Sequence, residues 1–246
     1  MDNFEIKKIY SKHFRERKAQ IEYIIIHSSA YSVEKNIEIF NNIGVSAHYI
    51  IGKDGSIIEQ VSPELVAYHS GKSSWFDKKD GSLNEYSIGI ELEAPYLGQK
   101  PNDFSKKEIE SLLNLLKKLS YTYNIKRCNI LGHSDIAVLR KPDPGVCFPW
   151  KKLAKHGFGV WYDLRKTDKS QNEEDLLKRI GYDCSDIFAA RYAFCRHFFG
   201  EEIVFQEDIC KLLDCVYVKD FVPLSYDKYL KTLKAVCYSF DKWRSK

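Results

Sequence analysis

The sequence has no Cys-x-x-Cys pair, although it holds seven cysteines: Cys128, Cys147, Cys184, Cys195, Cys210, Cys215 and Cys237. An odd count rules out a fully paired disulfide framework, and the spacings do not match a zinc ribbon. They read as reduced, buried, small apolar residues, which favours a reducing compartment. Glycine and proline are scarce, 13 and 7 in 246 residues, which excludes collagen-like and low-complexity chains. Neither sign of charge dominates. Lys and Arg number 38 against 34 Asp and Glu, a net +4, which is a weak footing for nucleic acid but compatible with an acidic substrate. No aliphatic run approaches the roughly 20 residues that cross a bilayer. The first twenty residues are charged throughout and lack the apolar stretch of a secretory signal. The expectation is a soluble, cytoplasmic chain with no transmembrane segment and no nucleic-acid partner; a periplasmic or envelope location, reached by a processed precursor, is the alternative. Three catalytic signatures are also missing. HExxH and GxSxG do not occur, and Gly71-Lys72-Ser73 has Val66 where a phosphate-binding loop needs glycine.

What is present is ample core material, with 44% hydrophobic residues. At roughly 150 residues per domain, the length fits one large domain and one small one. Residues 21–26 (IEYIII) form a β-branched run that reads as a buried strand ending at His27. Residues 45–51 and 56–61, joined through Lys53-Asp54-Gly55, predict a hairpin. In residues 86–93 (YSIGIELE), Ile88, Ile90 and Leu92 alternate with Ser87, Gly89, Glu91 and Glu93, the pattern of a half-exposed strand. Residues 105–123 carry leucines at helical spacing behind a Ser105/Glu108 capping box. Cys128–Leu131 predicts another strand, ending at Gly132-His133. Strands separated by helices, with a hairpin, indicate an α/β domain with a mixed sheet flanked by helices.

His27 and His133 stand at strand ends, and Asp143 lies ten residues beyond His133 in Lys141-Pro142-Asp143-Pro144-Gly145. Two imidazoles and a carboxylate are a common catalytic zinc set with a fourth position open to water. Packed histidines and a turn-forming aspartate are the competing reading of the same residues.

Five blocks decide between them: YIIIHSSA (23–30), VSAHYIIGKDGSIIEQV (45–61), AYHSG (67–71), NEYSIGIELE (84–93) and GHSDIAVLRKPDPGVCFPW (132–150). In this order they resemble the zinc-dependent N-acetylmuramoyl-L-alanine amidases of the type-2, AmpD-like class, which share their fold with the peptidoglycan recognition proteins. The resemblance implies that His27, His133 and Asp143 hold one Zn2+ per catalytic domain. It implies that Glu91, rather than the chemically equivalent Glu93, is the general base, and that Lys141 stabilises the oxyanion. Asp135 is expected to orient the loop rather than to bind metal. His48, Tyr68, His69 and Asn84 are candidate substrate-binding residues, although the family usually has Trp at Tyr68 and Asp at Glu85. In the recognition branch a Cys commonly replaces the metal Asp, whereas here Asp143 is present.

The polar stretch 165–175 reads as a linker or helix entry. Beyond it, Leu176-Leu177-Ile180, Ile187–Phe199 and roughly Tyr226–Phe240 predict a small C-terminal three-helix domain. Gly181-Tyr182, Ala193-Phe194 and His197-Phe198 resemble a peptidoglycan-binding module, with His197 expected at that module's surface. Residues 200–225 depart from the module's usual short connection. The division is residues 1–165, the amidase domain, and 172–246, the helical domain. The implied function is bacterial: hydrolysis of the amide between N-acetylmuramic acid, including its 1,6-anhydro form, and L-alanine in cell-wall turnover or muropeptide recycling. The partner is peptidoglycan or a muropeptide. The alternative is a non-catalytic peptidoglycan-recognition protein, which typically lacks the metal ligands.

Overall fold

The computed structural model describes residues 5–78, 81–207, 209–214 and 216–246; Cys215 lies outside them. In chain order the strands are β1 (Ile6–Lys8), β2 (Phe14–Glu16), β3 (Tyr23–Ser29), β4 (Tyr49–Ile51), β5 (Ile57–Glu59), β6 (Leu65–Ala67), β7 (Ser87–Glu93) and β8 (Ile130–Gly132). The helices are α1 (Val33–Ile43), α2 (Lys106–Thr122), α3 (His133–Ile136), α4 (Trp150–Lys155), α5 (Glu173–Ile180), α6 (Ile187–Phe198), α7 (Gly200–Gln206), α8 (Ile209–Asp214) and α9 (Tyr226–Arg244).

Six strands form a mixed sheet in the order β1-β5-β4-β7-β3-β8, and β2 pairs with β6 in a separate ribbon. β4, β7, β3 and β8 run parallel, while β5 returns antiparallel to β4 through the expected hairpin. The expected α/β architecture is therefore present. One face of the sheet, carrying Ile24, Ile26, Ile88, Ile90 and Leu92, packs on Ile109, Leu112, Leu115, Leu116 and Leu119 of α2. That helix starts where Ser105 and Glu108 complete a reciprocal capping box.

The opposite face corrects one expectation. β7 is buried on both sides up to its last residue, not half-exposed. Its second face is closed by His69, which lies over Gly89 so tightly that a Cβ there would stand 2.4 Å from the imidazole. Only glycine leaves room for that ring. Farther along the same face, Tyr23, Ile25 and Leu131 share one apolar cluster with Leu176, Leu177, Ile180, Phe194 and Val236 of the C-terminal helices. The core thus runs across the polar linker. The C-terminal region holds the three expected helices, α5, α6 and α9, and α7 and α8 fall within residues 200–225, the segment that departs from a short connection. Six described cysteines form no disulfide; Cys128, Cys195 and Cys237 are buried as expected, whereas Cys210 is exposed.

Candidate metal centre

β3, β7 and β8 run parallel, and β8 stops three residues before the ends of β3 and β7. Parallel register sets His27 beside Glu91. It also sets Gly132, the last residue of β8, beside Ile26, so that His133 opens α3 next to His27. Asp143 returns in the loop after α3, where its carbonyl accepts from Ser134 N at 2.8 Å.

Three donor atoms converge. His27 Nδ1 and His133 Nδ1 are 2.9 Å apart, His133 Nδ1 and Asp143 Oδ2 are 2.9 Å apart, and His27 Nδ1 and Asp143 Oδ2 are 3.3 Å apart. All three residues are buried. The outer nitrogens determine the tautomers. His133 Nε2 lies 3.0 Å from the Ser70 carbonyl, which can only accept, so the proton sits on Nε2 and Nδ1 is bare. His27 Nε2 lies 2.9 Å from His69 Nδ1; His69 Nε2 lies 3.2 Å from Ser87 Oγ, which donates to the Leu83 carbonyl at 2.7 Å. Run in that one direction, the chain of donors leaves His27 Nδ1 bare as well. Two lone pairs and a carboxylate oxygen then face a common point, an arrangement that calls for a cation. Ligands about 2 Å from a tetrahedral metal stand roughly 3.3 Å apart, close to these separations. Among the described residues Asp168, Cys237 and Asp241 also converge, but Arg179 already bonds both carboxylates there, at 2.9 and 2.5 Å.

The electrostatics fit a metal-ready set. Burial, reinforced by neighbouring His133, pushes the His27 imidazole down to about 4. Burial raises Asp143, but His133 and His27 beside it outweigh that and hold its carboxyl well below the usual carboxylate range. Glu91 is pushed well above that range by burial and by Asp143, against the pull of Lys141. Glu93 sits at the strand end, where its carboxylate accepts from Lys53 N at 3.4 Å. Lys141 is half-buried and near enough for its charge to act on both His27 and Glu91.

The other expected site residues divide. His69 is half-buried and touches His27 directly. Tyr68, also half-buried, is tied by its backbone to Ser46. Asn84 Oδ1 accepts from His69 N and Ser70 N at 3.1 and 2.8 Å, fixing the loop that carries His69 and the Ser70 carbonyl. His48 is fully buried, accepting from Gly89 N at 2.9 Å through Nδ1 and meeting the Leu65 carbonyl at 3.1 Å through Nε2. It ties three strands together beneath the site and presents no surface to a ligand, which corrects the expectation of substrate contact. Asp135 stays outside the donor cluster, as expected, and takes Gly132 N at 2.8 Å. Sequence reasoning passed over Arg17, whose guanidinium bonds carbonyls of Pro63, Leu65, Asn84, Glu85 and Ser87 below the site. Nothing in its charged N-terminal setting marks it as an interior brace.

A family model described as N-acetylmuramoyl-L-alanine amidase matches residues 17–146. Escherichia coli N-acetylmuramoyl-L-alanine amidase AmiD is 31% identical over 189 residues, 67% of this chain and 67% of that protein. The 1,6-anhydro-N-acetylmuramyl-L-alanine amidase AmpD of the same organism is 34% identical over 112 residues, 46% of this chain and 58% of AmpD. In three dimensions the chain is similar to AmiD from E. coli in complex with anhydro-N-acetylmuramic acid-L-Ala-D-γ-Glu-L-Lys. The TM-score is 0.71 at 25% identity, covering 96% of this chain and 100% of that one. It also shares its fold with AmpDh3 of Pseudomonas aeruginosa, TM-score 0.68 at 24% identity, over 96% and 95% of the two chains.

Proposed function

The chain belongs to the N-acetylmuramoyl-L-alanine amidase family, and from that premise we propose that it is a zinc amidohydrolase of peptidoglycan and its fragments. It hydrolyses the amide between the lactyl group of N-acetylmuramic acid, the 1,6-anhydro form included, and L-alanine. The similarity to AmiD, whose solved complex holds an anhydromuramyl tripeptide described as its substrate, supports this substrate class. The observation that carries the chemistry is the convergence of His27 Nδ1, His133 Nδ1 and Asp143 Oδ2 beside a buried Glu91.

In this reading His27, His133 and Asp143 hold one zinc ion. Bound there, zinc would supply Lewis acidity, polarising the amide carbonyl and acidifying a water molecule. Glu91 takes the proton of the attacking water and delivers it to the L-alanine nitrogen as the C–N bond breaks. Its burial raises its proton affinity toward that of the groups it exchanges with. Lys141 puts positive charge where the carbonyl oxygen becomes negative, stabilisation that grows only on the way to the transition state. His69 orients His27, and Tyr68 and His69 face the substrate, while Asn84 acts through the loop it holds.

We place this activity in muropeptide turnover. A cytoplasmic location is the reading favoured by the six described cysteines, none of which is paired in a disulfide. No helix among the described residues is long and apolar enough to cross a membrane. The test is incubation of the zinc-loaded protein with anhydro-N-acetylmuramyl peptides, followed by mass spectrometry. Free stem peptide is expected, its release stopped by a chelator and restored by zinc. Intact muropeptides with fully zinc-loaded protein would overturn the proposal.

A further inference from the structure

The segment that carries His133, Lys141 and Asp143 is gripped from the helical module at both ends. At its start, Asp135 is a hub buried to 1% exposure. Its carboxylate accepts from Gly132 N at 2.8 Å, from the Tyr182 hydroxyl at 2.8 Å, and from His197 Nδ1 at 2.9 Å. His197 is itself buried, not at the module's surface, and its ring stacks on Trp150 with centroids 4.0 Å apart. His197 Nε2 is buried with no hydrogen-bond partner among the described residues, so the ring proton belongs on Nδ1, where Asp135 receives it.

At the other end the neighbouring residue on α6 takes over. Arg196 Nη1 donates to the Pro142 carbonyl at 3.2 Å, one residue before Asp143. It also donates to Gln99 Oε1 at 3.2 Å, and that oxygen accepts from Val146 N at 3.3 Å. Gly200, the first residue of α7, lies so close to Val146 that any Cβ would collide with its carbonyl oxygen. One helix and the start of the next thus hold residues 132 to 146 from both sides.

We propose that Tyr182, Arg196 and His197 are positioning residues of the metal centre: the helical module holds His133 and Asp143 at the spacing a metal ion requires. The inference rests on the zinc reading of the cluster. Asp135 is bound by three donors, so the first turn of α3 is fixed, and with it the direction of His133 Nδ1. The Gly181-Tyr182 and His197-Phe198 features resemble those of a glycan-binding module, yet Tyr182 and His197 direct their polar atoms at the catalytic domain. Their chemistry is engaged between the two parts of the chain.

The full-length chain tests this through zinc affinity, measured by competition with a chromophoric chelator, alongside melting of the metal-free protein. Tyr182→Phe keeps the ring and removes one donor to Asp135. His197→Ala removes the second side-chain donor, and His197→Asn restores a donor at the same distance from the backbone. Tyr229→Phe is the control, since its hydroxyl also donates to a carboxylate, Glu173 at 2.6 Å, which lies outside residues 132 to 146. Tyr182→Phe and His197→Ala are expected to weaken zinc binding roughly 10- to 100-fold. His197→Asn should recover part of that loss, and Tyr229→Phe should lower the melting temperature at unchanged zinc affinity. If His197→Ala fails to fold, Tyr182→Phe carries the test. Wild-type zinc affinity in Tyr182→Phe and His197→Ala overturns the proposal, as does an equal loss in Tyr229→Phe. A wild-type chain that takes up no zinc defeats the zinc reading instead.

Discussion

His27 Nδ1 and His133 Nδ1 face each other at 2.9 Å, each with its ring proton on the far nitrogen. Neither can donate to the other, and the Asp143 carboxylate beside them is a third acceptor. Three acceptors around one buried point are compatible with a stable fold because a cation can join them.

The first prediction is a metal-dependent stability. Free zinc at 100 times its Kd should add about 2.7 kcal/mol to the stability of the native state. Thermal melts with zinc and with chelator measure it. Asp143→Ala should lose most of the zinc-induced shift, because one of three donors is gone.

Glu91 and Glu93 make a paired comparison. Glu91 stands beside His27, while Glu93 is turned to Lys53 N. Glu91→Gln should lower kcat by about 10²- to 10⁴-fold, the usual range for a lost general base, while zinc binding persists. Glu93→Gln should stay within a few-fold of wild type. Steady-state kinetics with parallel metal analysis checks both.

Lys141→Ala should lower kcat by about 100-fold with a smaller change in KM, because the charge acts on an oxygen that becomes negative during reaction. A change confined to KM would make Lys141 a ground-state contact.

Away from the centre, Glu108 makes stability depend on pH. It is fully buried at the start of α2, and burial pushes its carboxyl up to about 8 from an ordinary 4.5. The folded state therefore holds that proton more tightly than the unfolded state. The contribution is full below about pH 4.5 and is lost as pH rises through about 8. Glu108→Gln, whose amide oxygen can still accept from Ser105 N, should flatten this trend and gain on wild type toward pH 8. Urea denaturation at pH 5 and pH 8 measures the difference.

The parts of this architecture that were legible in the sequence are local. β3 follows from its run of β-branched residues, β7 from its alternation of Ile88, Ile90 and Leu92, α2 from its leucine spacing and capping box, and the donor set from the blocks around His27, His133 and Asp143 that resemble the amidase family. What escaped depends on distant chain segments. The double burial of β7 comes from His69, 20 residues before Gly89. His48 looks like a groove residue until the Gly89 amide and the Leu65 carbonyl are seen to occupy its ring. His197 and Asp135 are 62 positions apart, and no periodicity in α6 marks a histidine that reaches across to Asp135 of α3. The cysteines carried least, since burial of three and exposure of Cys210 follow only from the packing.

The most direct measurement is anomalous X-ray diffraction at the zinc edge from crystals of the zinc-loaded protein. The account predicts a single strong peak about 2 Å from His27 Nδ1, His133 Nδ1 and a carboxylate oxygen of Asp143. Absence of a peak there, or a peak at Asp168, Cys237 and Asp241 with Arg179 displaced, would contradict it.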